Sequence, residues 1–168
     1  MTRLLPPTAL LTALALSVPA ALPGAGAAAP AAPPASAAAD LMTRARLAQA
    51  TYVIQAPEIR GNPNLLNGEQ RETILRAMKT DSGAAIKRRY PQATVTTDET
   101  APNAIRVTPI LITPGALLPW LSIGAQLQLD FPEGRRVILS ESHSVLTVYQ
   151  HQADAANFVF DSLSKKLP

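Results

Sequence analysis

Gly124-Ala125-Gln126-Leu127-Gln128-Leu129-Asp130-Phe131 decides the fold. Ala125, Leu127, Leu129 and Phe131 alternate with Gln126, Gln128 and Asp130. A period of two fits an extended strand with one buried face. Pro132-Glu133-Gly134 then turns the chain, and Arg136 to Gln150 returns with Val137, Leu139, Val145 and Tyr149 among its apolar positions. Two such runs around a short Gly-containing turn predict an antiparallel hairpin.

Upstream of the hairpin, β-branched and aromatic residues mark further strands. Thr51-Tyr52-Val53-Ile54-Gln55 is the first, closed by Pro57, and Ala93–Thr97 is another. Ala104–Thr113 contains Pro109, which cannot donate a ladder hydrogen bond and so predicts a strand edge or a bulge. Between them a helix is expected from Asn67, with Asn67 and Gln70 spaced as a capping box. Ile74, Leu75, Met78, Ala85, Ile86 and Tyr90 recur at helical spacing, Asp81-Ser82-Gly83 weakens the middle, and Pro91 ends it. A short helix is expected within Asp40–Gln49. A closing helix is expected from Ala153 to Leu167, its stripe formed by Ala156, Val159, Phe160, Leu163 and Leu167.

These elements predict an α+β two-layer domain over residues 40–168. Its sheet is expected to be mainly antiparallel, of four to five strands, with two helices packed on one face, in the order β-α-β-β-β-β-α. The first strand is free to pair in parallel with a later one.

The amino-terminal residues have a different composition. Arg3 is the only charge before Asp40, an apolar run rich in Leu and Ala follows it, and Pro23-Gly24 leads to Ala25-Gly26-Ala27. A basic end, an apolar core and a small-residue exit predict a signal peptide over residues 1–27, cleaved near Ala27 or alternatively near Ala20. The run is shorter than the roughly 20 residues that a membrane span needs, which disfavours an uncleaved anchor. Residues 28–39 are Ala, Pro and Ser without charge and are expected to be a disordered linker. The mature chain is therefore expected in the periplasm or outside the cell, with no transmembrane span.

Composition narrows the function classes. There is no cysteine, which removes disulfides, thiol chemistry and cysteine metal sites. The formal charge is +3, and it falls to +2 when Arg3 leaves with the signal peptide. No Lys/Arg stripe accompanies this small excess, so no nucleic-acid partner is expected. Lys87-Arg88-Arg89 at a helix end complements the helix dipole.

Few residues offer chemistry. Glu141 and His143 stand two apart on the returning strand and share a face, a spacing that suits a base and its orienter or two metal ligands. No third ligand stands at a recognisable spacing, so no metal or other cofactor is expected. The pair is read chiefly as part of a solvated outer face. His151 is read as occupying the connection before the last helix. Ser140, Ser142 and Ser144 lack a Gly-x-Ser-x-Gly elbow, and Gly61-Asn62-Pro63-Asn64 lacks the spacing of a phosphate loop. Catalytic residues are assigned to none of these positions.

Val107 to Leu129 carries no charge, and at its centre lies Pro114-Gly115-Ala116-Leu117-Leu118-Pro119-Trp120-Leu121. Its prolines and glycines exclude a membrane helix and predict a long apolar loop. Leu117, Leu118, Trp120 and Leu121 are the partner-contact candidates, for an envelope protein or the membrane surface. The other reading folds the loop back, so that Trp120 plugs one end of the core.

The strand Thr51–Gln55, the helix Glu69–Tyr90, the hairpin Gly124–Gln150 and the closing helix with Ala155-Ala156-Asn157-Phe158 resemble, in order, the small periplasmic domains of the TolB amino-terminal type and related bacterial envelope domains of unknown function. The resemblance covers most of the mature chain, rests on element order without a diagnostic motif, and lacks the β-propeller that follows in TolB. It implies protein contacts in the envelope without catalysis and transfers no functional residue. The expected function is an exported, non-catalytic interaction or adaptor module. The alternatives are a small exported metal- or His-dependent hydrolase using Glu141 and His143, and a carrier of an apolar ligand between helices and sheet.

Overall fold

A computed structural model describes residues 41–151 and 154–168, which fall within one unit, Pro33–Pro168. The expectations for the signal peptide and the linker lie outside the described residues. The elements run α1 (Arg44–Ala48), β1 (Thr51–Ile54), β2 (Glu58–Arg60), a 3-10 turn (Pro63–Leu65), α2 (Gly68–Arg89), β3 (Thr94–Thr96), β4 (Ile105–Ile112), β5 (Ser122–Asp130), β6 (Arg136–Ser144), α3 (Val145–Gln150) and α4 (Ala155–Ser164).

The fold is α+β, with one six-stranded sheet in the order β3-β1-β4-β5-β6 and β2 paired to β4 off that path. The sheet is mixed, which corrects the expectation of a mainly antiparallel one. β1 runs parallel to both β3 and β4, β2 runs parallel to β4, and only β4–β5 and β5–β6 are antiparallel. The cause is the α2 connection, which returns the chain to the start of the sheet, so β3 enters in the direction of β1. The strand count is higher because Pro57 interrupts the first extended segment without ending it.

Pro109 has a physical account in this topology. Gln55 N donates to Val107 O at 2.8 Å, so the odd-numbered residues of β4 direct their backbone groups toward β1 and β2. β1 pairs with Ile105–Val107 and β2 with Ile110–Ile112. Pro109 faces the break between them, where its missing N–H costs no ladder bond. It lies on no free edge, since β4 is flanked on both sides.

The hairpin forms in the register that the alternation demands. Leu127 pairs with Leu139 and Leu129 with Val137, and Ala125, Leu127, Leu129 and Phe131 are buried. Gly134, at φ +79°, closes the turn with its N–H on Phe131 O at 2.9 Å. β6 ends at Ser144, which corrects the longer returning strand. The Ser144 hydroxyl accepts from Thr147 N at 3.0 Å and starts α3, so Val145 to Gln150 are helical.

α2 carries the expected capping box between Asn67 and Gln70 and runs unbroken through Asp81-Ser82-Gly83. Gly83 serves packing: a Cβ there would lie 3.2 Å from Val95 Cγ1 and 3.4 Å from Ile54 Cγ1. The helix is thus seated tightly on β1 and β3. One core joins Met78, Ala85 and Ile86 of α2, Val159, Phe160 and Leu163 of α4, and the inward residues of β1, β4 and β5. Both long helices accordingly cover one sheet face, as expected. Their C-terminal ends are tied together, with Arg89 donating to Leu167 O and the Tyr90 hydroxyl donating to Pro168 O, both at 2.7 Å.

Candidate functional site

Two clusters gather the candidate residues. The first is an apolar corner where β4 ends, β5 begins and β6 passes into α3. The loop between β4 and β5 is pinned from both sides. Thr113 N donates to Arg60 O at 2.8 Å, and Asn62 Nδ2 donates to Gly115 O at 2.8 Å. On the other side Val145 N donates to Leu121 O at 2.8 Å and Leu146 N to Pro119 O at 3.4 Å. These bonds bring the loop and α3 together.

Trp120 is 74% exposed and Tyr149 75% exposed, with Leu117, Leu118 and Leu146 between 41% and 49%. Five of the six large apolar side chains exposed among the described residues therefore lie at this corner, and only Ile138 lies elsewhere. A scatter of single exposed apolar residues needs no explanation, but their concentration at one corner does. Leu121 is half-buried. Trp120 does not plug the core. Leu146 and Tyr149 escape a reading of the sequence because Val145–Gln150 has the composition of a strand. Their spacing of three places them on one helical face.

The second cluster is polar and lies beneath α4. Glu141 and His143 face the helices, which corrects the solvated-outer-face reading. They share the parity of Val137 and Leu139, and the register puts Glu141 opposite Ala125 and His143 opposite Ile123. The Ser162 hydroxyl donates to Glu141 Oε1 at 2.8 Å. Lys166 Nζ lies 3.6 Å from Glu141 Oε2 and donates to Ser140 O at 2.5 Å. His143 Nε2 lies 3.9 Å from Glu141 Oε1, has no hydrogen-bond partner among the described residues, and belongs to a side chain only 10% exposed. Its ring tilts against Phe158 at 5.1 Å, and His151 stacks on Phe158 at 3.7 Å.

This arrangement ties α4 to β6. Ser162 donates its hydrogen bond to the Glu141 carboxylate and not to the His143 imidazole, so no serine–histidine pair forms here. Ser140 and Ser142 lie on the opposite, helix-free side of the strand, and Ser144 caps α3. Among the described residues no group of three His, Cys, Asp or Glu side chains is placed to hold a metal ion. The Lys166 ammonium beside Glu141 further disfavours a cation there.

A shallow cleft of about 430 Å³ lies over the second cluster, lined in part by Arg88, Phe158 and Asp161. Burial pushes the Asp161 carboxyl up, but hydrogen bonds and charge from Arg88 and Lys165 outweigh it and hold the group below its ordinary value. The mixed signs at the cleft suit an ion-pair network between α2 and α4.

No protein-family model matches the chain, and no curated protein matches it. Solved structures similar to it include the following two. One, titled a crystal structure of an uncharacterized protein, is 8% identical with a TM-score of 0.40, covering 70% of this chain and 87% of that one. The other is a point variant of the PelC dodecamer from Paraburkholderia phytofirmans, 9% identical with a TM-score of 0.40, covering 71% of this chain and 84% of that one. At this level of likeness neither carries a function over to the chain.

Proposed function

We propose that the chain is an exported, non-catalytic docking module of the cell envelope, and that it acts through the corner formed by Leu117, Leu118, Trp120, Leu146 and Tyr149. The single observation carrying this reading is the exposure of Trp120 on a loop whose backbone is fixed from both sides. A rigid, exposed aromatic is a ready anchor, because little conformational entropy remains to be lost on binding. The Arg3-to-Ala27 leader pattern supports export to the periplasm or beyond. The hydrolase alternative loses support from the pairing of Ser162 with Glu141. The carrier alternative loses support from the tight seating of α2 at Gly83.

A photo-reactive residue placed at position 120, with a second chain labelled at Ser142 as control, tests the proposal in intact cells. Adducts from position 120 and none from position 142, with the chain in the envelope fraction, are the expected result. Equal labelling from both positions, or a chain retained in the cytosol, would contradict it.

A further inference from the structure

The corner also indicates what kind of surface it meets. Resting on the docking role above, we propose that its occupant is the interfacial layer of a zwitterionic lipid bilayer. Charge decides between the occupants. No Lys, Arg, Asp or Glu occurs from Val107 to Leu129 or in α3. Arg60, at the margin where β2 meets Ile112, is paired with Glu58 at 2.6 Å. Glu141 of the hairpin lies beneath α4 with Lys166 at 3.6 Å, and the other charges of the hairpin collect at its turn, where Arg136 pairs with Asp130 and Arg46 with Glu133. The hairpin thus carries exposed ion pairs at its turn, while the loop and α3 at its opposite end bear no charge.

A surface without charge has nothing to steer or orient a charged protein partner. It does match a headgroup layer of zero net charge. The side chains are of the kinds such a layer takes. Leu117, Leu118 and Leu146 suit the acyl boundary, while Trp120 and Tyr149 combine an apolar ring with a polar tip that stays at headgroup level. Because they come from a pinned loop and a capped helix, they enter the layer as a preformed group. No helix among the described residues is long and apolar enough to cross a membrane, so the contact is peripheral.

Phosphatidylcholine vesicles added to the full chain provide the test, read through Trp120, the chain's single tryptophan. The expected result is a blue shift with quencher access reduced several-fold, the same at low and high salt and with or without anionic lipid. The double variant Leu117→Ser with Tyr149→Ser keeps the reporter. It is expected to bind several-fold less while melting at the same temperature, since both side chains are exposed. Three results would overturn the inference: Trp120 emission indifferent to vesicles, binding that salt abolishes or that requires anionic lipid, or undiminished binding by the double variant. If Trp120 ignores lipid yet position 120 crosslinks to a protein, the lipid inference fails and the docking reading stands. If it does neither, both fail.

Discussion

Ser162 donates its hydroxyl to Glu141 across 2.8 Å, and this bond ties the last helix to the edge strand of the sheet. It gives Glu141, one of the two residues that the sequence offered for chemistry, a partner on the last helix. Ser162→Ala leaves Glu141 Oε1 unmet in a partly buried setting, which costs about 1–3 kcal/mol. Denaturant unfolding is expected to show that loss. A Ser162→Ala chain of unchanged stability that had lost a hydrolytic activity would instead revive the enzyme alternative.

Asp161 makes stability depend on pH in one direction. Burial raises its carboxyl, and the hydrogen bonds and charge of Arg88 and Lys165 more than reverse that. A carboxyl held low in the folded chain contributes its stability above the pH where the unfolded group titrates. That contribution is lost as pH falls through the lower folded value. The pair with Arg88, at 3.1 Å, is partly exposed, so the effect is small. Asp161→Asn is expected to lower the melting temperature slightly at neutral pH and to flatten part of its acid-side fall. An unchanged acid-side slope would contradict this role.

Gly61 sits at φ +106°, and a Cβ there would lie 2.3 Å from Thr113 O. The collision would be with backbone at the root of the apolar loop. Gly61→Ala is therefore expected to destabilise the chain by more than about 1 kcal/mol, through strain and lost packing. It should also raise hydrogen exchange at residues 113–121, by loosening the bond from Thr113 N to Arg60 O. Unchanged exchange in that loop would show that the corner does not depend on β2.

Ser144 links the sheet to the corner by capping α3. Ser144→Ala removes the acceptor for Thr147 N at a cost of about 1 kcal/mol. Faster hydrogen exchange through Val145–Gln150 is expected, with weaker engagement at Trp120, because Leu146 and Tyr149 lose their fixed position. Full docking by a chain with a frayed α3 would remove those two residues from the contact.

The hairpin was legible because Ala125, Leu127, Leu129 and Phe131 alternate without interruption, and α2 because Asn67 and Gln70 mark its start. The parallel pairings were less so, since Thr51–Ile54 reads as strand without naming its neighbours. β2 and α3 were missed for local reasons. Pro57 resembles a strand end, and Val145-Leu146-Thr147-Val148-Tyr149 has strand composition, so only the cap at Ser144 starts a helix there. The inward placement of Glu141 and His143 could have been read from the parity they share with Val137 and Leu139. Their polarity argued for solvent, but Ser162 and Lys166, more than twenty positions away, supply the partners that let Glu141 lie inside. That pairing depends on the packing of α4 and has no local signal.

The docking role depends most on the exposure of one indole ring, and the emission of the purified chain alone measures it. With a single tryptophan the signal is unambiguous. An emission maximum close to that of tryptophan in water, readily reduced by a soluble quencher, is the expected result for a ring that is 74% exposed. A blue-shifted, quencher-resistant emission would place Trp120 inside the core and contradict the docking corner.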